Sequence, residues 1–578
     1  MILKQIANLK FNNEFLILII ITLIGGFFRF WNLGNNPPGI FSDELIPFSK
    51  TLSLLTHNGP LFSYSLYDIN NIIGICLLGE PESILALGGT SFSIRAPGAF
   101  YGTLLIPVSY LLSKKMFGKP IGIISSVLIA LNPWAIQASR VFYMSQGFDS
   151  LFFTTLGVYL FLSSFTYTFL WKRAIMASIL LALTSSYVFT SYGRLTSILL
   201  FFIIFIYSLF KYKQSTPFLK NTTKLFTPLL FYSLIFITFI WLTQGASVGS
   251  TANTLYYFSP DTNLILSPSI HNLSSFMIRF VKYYSPNFLF LHGDPNISQN
   301  FGMVGEMLYS SFPFFYIGLF SLGYKLVKRE IKFESLLLLL WLFTAPIETA
   351  AFVYNNYTDS SGASYMVVPL VILTSYGIYL TLVFFKKLLS KRRTEDHKKG
   401  RSDLIYQNMH RERAISVVFF TLLAVGVVIS SATFSFNYYS LEDKKIADNP
   451  NSQLGEFYGY SKLVNYIVDT NITSNKIFIV PDGLFNNNTS LFNYMYYNLK
   501  IPMSYLYYLS DGRINNFGGI LAMNHLNANL SGLVLTGSTY VLTELNKEGL
   551  RAGILYSVYR PNGELALALL NINGNTLK

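Results

Sequence analysis

Asp43 and Glu44 are adjacent carboxylates in a chain that uses acidic residues sparingly, at 28 of 578 positions. They follow the stretch Arg29-Phe30-Trp31-Asn32-Leu33-Gly34, just beyond an apolar run ending at Phe28. A run of that kind delivers the residues after it to the far face of a bilayer. A carboxylate held there can remove a proton from a hydroxyl or bind a cation. The same residues can also cap a helix, because Ser42-Asp43-Glu44 opens an amphipathic pattern over residues 44–56. The residues alone leave both readings open.

The elements that must position the pair are membrane helices. The chain is 52% hydrophobic and only 12% charged, about half the charge of an ordinary soluble domain. Apolar stretches long enough to cross a ~30 Å hydrocarbon core recur along most of it. They predict eleven spans, near residues 14–32, 93–113, 120–138, 147–170, 174–191, 195–210, 225–243, 306–324, 334–352, 364–385 and 414–434. The fold expected is a polytopic α-helical membrane protein. The first span lacks a small-residue cleavage site after Arg29 and reads as a retained helix.

Lysine and arginine orient the spans. With the N-terminus in the cytoplasm, short inner segments hold 25 of the 42 basic residues, from Lys4 and Lys10 to the dense run between Lys386 and Arg413. This distribution accounts for the net charge of +14. The basic loops carry no nucleic-acid motif, so they read as topology determinants that also attract anionic lipid. The single cysteine, Cys76, rules out an intrachain disulfide and any cysteine-based zinc cluster. The expected location is the cell membrane, with the N-terminus cytoplasmic.

Three segments fall on the outer side. Outer loops span 32–92 and 244–305 of a membrane domain covering residues 1–435. Residues 436–578 form an extracytoplasmic α/β or α+β domain, in which Lys476–Val480 and Thr539–Thr543 read as strands and Leu454–Val468 as a helix. Polar chemistry therefore sits outside and apolar scaffold within. A transporter would instead place broken helices and polar groups at mid-membrane, and no pore-loop motif suggests a channel.

Several motifs then fall in order. Arg29-Phe30-Trp31-Asn32-Leu33-Gly34 with Asp43-Glu44 resembles the first outer loop of GT-C fold glycosyltransferases that use polyprenyl-phosphate sugars. The nearest likeness is to the protein O-mannosyltransferase and aminoarabinose transferase superfamily. Ser93-Ile94-Arg95-Ala96-Pro97 resembles the family's entry to the second span. Leu131-Asn132-Pro133-Trp134 with Ser139-Arg140 resembles its third span and outer exit, and Tyr192-Gly193-Arg194 a later turn. Ser285 to Asn296, with Gly302 to Tyr309 after it, resembles the loop before the eighth span. The resemblance covers residues 15 to about 385.

It implies transfer of a sugar from a polyprenyl-phosphate donor to an acceptor hydroxyl on a protein, lipid or glycan at the outer face, with inversion. Asp43 takes the place of the base, and Glu44 stands beside it as an acceptor or metal contact. Arg95, Arg140 and Arg194 are the cations expected at the donor phosphate, with Arg279 and Lys282 also available. Asp149, His292 and Asp294 are candidate substrate or metal contacts. The sequence departs from the family where a second carboxylate would follow Arg140, since Asp149 comes about a turn late, and where Gly362-Ala363-Ser364-Tyr365 replaces a His/Arg signature. No Trp-Trp-Asp motif occurs, which argues against an oligosaccharyltransferase. No ligand spacing marks a zinc site, whereas a carboxylate-held Mg²⁺ or Mn²⁺ is compatible with the residues. The alternative is a non-catalytic binder or flippase of lipid-linked saccharide on the same scaffold.

Overall fold

A computed structural model describes residues 13–38, 79–87, 90–166, 169–186, 193–213, 224–239, 270–296, 300, 304–352, 358–398 and 402–441, together with parts of the region from 459 to 573. Asp43, Glu44 and Tyr192, the predicted helix over 44–56 and the predicted strand Thr539–Thr543 lie outside the described residues.

Every predicted span falls on helix. The first is α1 (Asn13–Phe30), followed by a short α2 (Glu80–Leu87) and the long α3 (Ser91–Phe117). Thr90 and Ser93 close a capping box at the start of α3, each side chain accepting the other's backbone N–H, which fixes where that helix begins. Next come α4 (Lys119–Leu131), α5 (Pro133–Arg140), α6 (Phe142–Ser163), α7 (Trp171–Ser185), α8 (Arg194–Lys213) and α9 (Lys224–Phe239). The remaining helices are α10 (Ile270–Lys282), α11 (Phe312–Val327), α12 (Phe333–Thr344), α13 (Ile347–Phe352), α14 (Val367–Lys398) and α15 (Ser402–Phe436). Among the described residues, five helical stretches are each long and apolar enough to cross a membrane: 13–30, 194–212, 333–351, 364–385 and 417–439.

Some predicted boundaries move. The third span is two helices bent by 52°, because Pro133 cannot donate to the carbonyl four residues back and the helix must restart. Asn132 starts it again, its Oδ1 accepting the Ala135 N–H at 2.7 Å. The helix of the eighth span begins at Phe312, six residues after the predicted Glu306, because residues 304–308 are held in loop contacts. The fourth begins earlier, at Phe142, and ends at Ser163.

One contiguous core runs through α3 to α9, α11, α12 and α14, with Trp134, Trp341, Tyr232 and Tyr365 among its large buried side chains. On the opposite faces, Leu23, Phe210, Leu230, Phe320, Phe384 and Leu422 are more than half exposed. Such outward apolar faces suit acyl chains as the surrounding solvent. At the start of α1, Glu14 pairs with Lys114 and Lys119 and accepts from the Tyr110 hydroxyl, tying this helix to the turn between α3 and α4.

After α15 the described strands form one mixed sheet, β1 (Ile477–Val480), β2 (Phe517–Ile520), β3 (Gly532–Thr536), β4 (Arg551–Tyr559) and β5 (Leu565–Asn573), in the order β2-β1-β3-β5-β4. The β1 strand lies parallel to both β2 and β3, and β5 is antiparallel to both β3 and β4. The predicted strand at Lys476–Val480 is therefore seen as β1. For the orientation of the whole, a reporter fused after Ser440 should read on the outer side; a cytoplasmic signal there would mean an odd error in the number of spans.

Candidate active site

Three clusters of polar side chains are built at helix ends, and all three involve residues singled out by sequence. The first surrounds the stem of the loop that follows α1. Breaking the third span at Asn132 leaves carbonyls near the end of α4 without helical donors, and Arg29 supplies them. Its Nη1 donates to Gly25 O at 2.9 Å and Ala130 O at 3.2 Å, and its Nη2 to Ile129 O at 3.1 Å, the acceptor that Pro133 cannot serve. Gly102 makes room for this crossing, because a Cβ there would lie 2.4 Å from Ser139 Cβ and 3.1 Å from Arg29 Nε.

Arg140, at the end of α5, is fully buried and gathers the same stem. Its Nη1 donates to Phe28 O at 3.0 Å and Arg29 O at 2.9 Å, its Nη2 to Asn36 O at 2.8 Å, and its Nε to the Tyr438 hydroxyl at 3.2 Å. Its guanidinium carbon lies 5.5 and 5.0 Å from the ring centres of Tyr438 and Tyr439, within cation–π range. A guanidinium has five N–H groups, and partners among the described residues take four of those on Arg140. Arg95 works on the next turn, donating from Nη1 to Leu33 O at 3.3 Å and Pro37 O at 2.9 Å while 1% exposed. It is a buried organiser of the loop. The described stem ends at Pro38, five residues before Asp43.

The second cluster lies between the helix bend and the loop before α11. Four buried residues close a cycle of hydrogen bonds. Asp294 N–H donates to Glu306 Oε1 at 3.2 Å, and Trp134 N–H to Glu306 O at 3.3 Å. Trp134 Nε1 donates to Ser360 O at 3.0 Å, and Ser360 N–H to Asp294 Oδ2 at 2.7 Å. Asp294 Oδ1 also accepts the Asn296 N–H at 2.8 Å. Gly293 has a φ of +71°, and a Cβ on it would meet Asn300 Nδ2 at 1.9 Å, so the turn requires glycine. His292 is exposed and bonds Asn287 Oδ1 through Nδ1 at 2.7 Å.

Burial pushes the Asp294 carboxyl up to about 7, with the nearby Asp359 carboxylate adding to the effect and the backbone donors opposing it. A carboxyl raised on folding binds its proton more tightly in the native state. It therefore stabilises the fold most below the ordinary aspartate range, and that contribution is lost as pH rises to about 7. Replacing Asp294 with Asn should remove this slope and leave one backbone N–H facing the amide NH₂, at a cost of about 1–3 kcal/mol. Thermal unfolding from pH 5 to 8 checks it; the same pH dependence in both proteins would contradict it.

The third cluster joins α6, α8, α13 and the turn before α14. The Tyr365 hydroxyl meets Ser150 Oγ at 2.5 Å and Thr154 Oγ1 at 3.3 Å. Gly193, with a φ of +74°, passes so close to the Tyr365 ring that a Cβ would lie 2.2 Å from it. Glu348 Oε1 accepts the Leu195 N–H at 2.8 Å, and the carboxylate also faces the backbone N–H groups of Gly193 and Arg194 and the Arg194 guanidinium. Asp149 is fully buried next to Ser150, and both its oxygens lack a hydrogen-bond partner among the described residues.

The structure thus brings Arg95 and Arg140 to one stem, places Asp294 and His292 in one loop, and seats Asp149 and Arg194 at a third cluster. Sequence reasoning assigned no site role to Arg29, Asn36, Tyr438, Tyr439, Glu306 or Tyr365. The signal for Arg29 was present, since a charge within an apolar helix is costly and needs partners. Among the described residues no three His, Cys, Asp or Glu side chains are grouped to hold a metal ion. Asp294, with both oxygens accepting backbone N–H, is arranged as a loop staple.

No protein-family model and no curated protein matches the sequence. Solved structures similar in shape include ArnT from Cupriavidus metallidurans bound to undecaprenyl phosphate, at 11% identity and a TM-score of 0.47, covering 96% of this chain and 97% of that one. The apo oligosaccharyltransferase of Archaeoglobus fulgidus is similar at 15% identity and a TM-score of 0.47, covering 98% of this chain and 75% of that one. The archaeal oligosaccharyltransferase AglB of the same organism, in complex with an inhibitory peptide and a dolichol-phosphate, is similar at 14% identity and a TM-score of 0.43, covering 97% and 74%.

Proposed function

We propose that the protein is a membrane glycosyltransferase that moves a sugar from a polyprenyl-phosphate donor to an acceptor hydroxyl at the outer membrane face. The observation that carries this reading is the stem of the first outer loop. Buried guanidinium groups of Arg95 and Arg140 organise the backbone that leads to Asp43 and Glu44. Two buried arginines holding an outer loop are costly in a membrane protein, and such cost is characteristic of functional sites.

The chemistry follows from the bonds exchanged. The donor's leaving group departs as a phosphate anion and needs little protonation. The acceptor hydroxyl is the weak partner and needs a base within hydrogen-bond reach. Asp43 takes that proton as the new glycosidic bond forms and the anomeric C–O bond to phosphate breaks. Glu44 contacts the acceptor or a bound cation. The positive charges of Arg194, Arg95 and Arg140 stabilise that of the phosphate. Asp149 contacts the substrate from the third cluster. The sheet domain after residue 436 holds the acceptor above the membrane.

Single displacement inverts the anomeric centre. With a β-linked polyprenyl-phosphate sugar and membrane extract as acceptor, the product should carry the α linkage, read by glycosidase sensitivity or NMR. A retained configuration would contradict direct displacement, and no product from any lipid-phosphate sugar would overturn the transferase reading.

A further inference from the structure

The last membrane helix ends in a π-helical turn, Asn437–Leu441, where two tyrosines reach back about 400 residues to the first outer loop. The Tyr439 hydroxyl donates to Phe28 O, and Tyr438 O accepts from Asn36 Nδ2 at 3.2 Å. The Tyr438 hydroxyl accepts from Arg140 Nε at 3.2 Å. Both rings lie in cation–π range of that guanidinium, and their own centroids are 4.9 Å apart at 88°. Tyr438 is fully buried. Phe28 and Asn36 are the two ends of the stem that Arg140 spans with its own donors. The chain from α15 is therefore bonded to both ends of the first-loop stem and to the cation between them. The same turn is where the chain leaves its last span for the sheet region.

We propose that Tyr438 and Tyr439 are positioning residues that set the first outer loop, so that the geometry of Asp43 depends on how the chain leaves the last membrane helix. This rests on the reading of Asp43 as the base. The arrangement has a physical consequence. A pull or twist on the chain beyond Leu441 acts first on Tyr438 and Tyr439. From there it passes to Arg140 and to the carbonyls of Phe28, Arg29 and Asn36. An acceptor bound by the C-terminal region would in this way reset the loop that carries the base. General scaffolding would need neither hydroxyl, because the rings alone fill the space and stack on Arg140.

The test keeps the rings and removes the hydroxyls. Full-length wild type, Tyr438→Phe, Tyr439→Phe and the double variant are compared in nanodiscs by amide hydrogen exchange and by transfer kinetics with a polyprenyl-phosphate sugar. The double variant should exchange the amides of residues 31–36 about tenfold faster, with the core of α14 unchanged. Its kcat should fall by tenfold or more while the KM for donor stays within about twofold, since positioning acts on the reacting geometry and not on donor binding. Unchanged exchange at 31–36 would overturn the wiring. Faster exchange with an unaltered kcat would overturn its role in positioning. Wild-type protein that transfers from no donor counts against the transferase reading alone, and the exchange result then still decides whether the tyrosines hold the loop.

Discussion

Asp43→Asn should abolish transfer, by a factor of about 10²–10⁴ in kcat, and leave donor binding in place. The amide keeps the size of the carboxylate and can accept a hydrogen bond, yet it cannot take a proton from the acceptor hydroxyl. The donor already carries a good leaving group, so the barrier lost is that of activating the nucleophile. Binding of the lipid phosphate draws on cations elsewhere and should change little. Asp43→Glu keeps the base but moves it by one methylene, and it should retain a fraction of the rate, because misplacement of about 1 Å costs up to a hundredfold. Equal rates for wild type and Asp43→Asn, at matched protein levels, would remove Asp43 from the mechanism.

Arg140→Ala is the second change expected to have a large effect, on the fold itself. The guanidinium is fully buried and serves four acceptors: Phe28 O, Arg29 O, Asn36 O and the Tyr438 hydroxyl. Truncation takes a donor from the carbonyls of Phe28, Arg29 and Asn36, of which Phe28 O keeps the Tyr439 hydroxyl, and it leaves a void between α5 and the end of α15. The combined cost should be about 3–5 kcal/mol. Arg140→Lys keeps the charge, but an ammonium is a point donor and cannot span the stem from Phe28 to Asn36 as the planar fork does. It should fall between the two. Thermal unfolding in detergent, followed by size-exclusion chromatography, measures this. An Arg140→Ala protein as stable as wild type would mean that the stem is held by something else.

The helices were legible because each apolar run is long, and lipid forces the backbone to satisfy itself within one segment. Even the bend in the third span is foreshadowed by Asn132-Pro133, where a helix stop and an N-cap coincide. What the apolar pattern does not show is who serves the carbonyls that the bend exposes. Arg29 does so across about 100 residues of sequence, and no local period encodes a contact of that range. The same holds for Tyr438 and Tyr439, which follow the last predicted span and prove to be bonded to the stem of the first loop and to Arg140.

The candidate site was legible in its residue types more than in its connections. Arg95 and Arg140 were found as outer arginines, but their engagement with the carbonyls of residues 28 to 37 depends on the packing of α1, α3 and α5. Asp294 was found in a motif. Its partners Glu306 and Ser360, and Trp134 bonded to both of them, come from three separate segments and meet only when the bend and the loop before α11 are folded together. A glycine can mark such closeness in advance. Gly193 and Gly293 both sit at positive φ against a side chain that leaves no room for a Cβ, and both lie inside motifs that the sequence offered.

The most direct test of the account is transfer from a panel of radiolabelled polyprenyl-phosphate sugars, using membranes that hold equal amounts of wild type or Asp43→Asn. The account predicts that label moves from at least one donor to an acceptor with wild type and that the variant binds the same donor without moving it. Label moved equally well by both proteins, or donor carried across the bilayer without transfer by either, would contradict it.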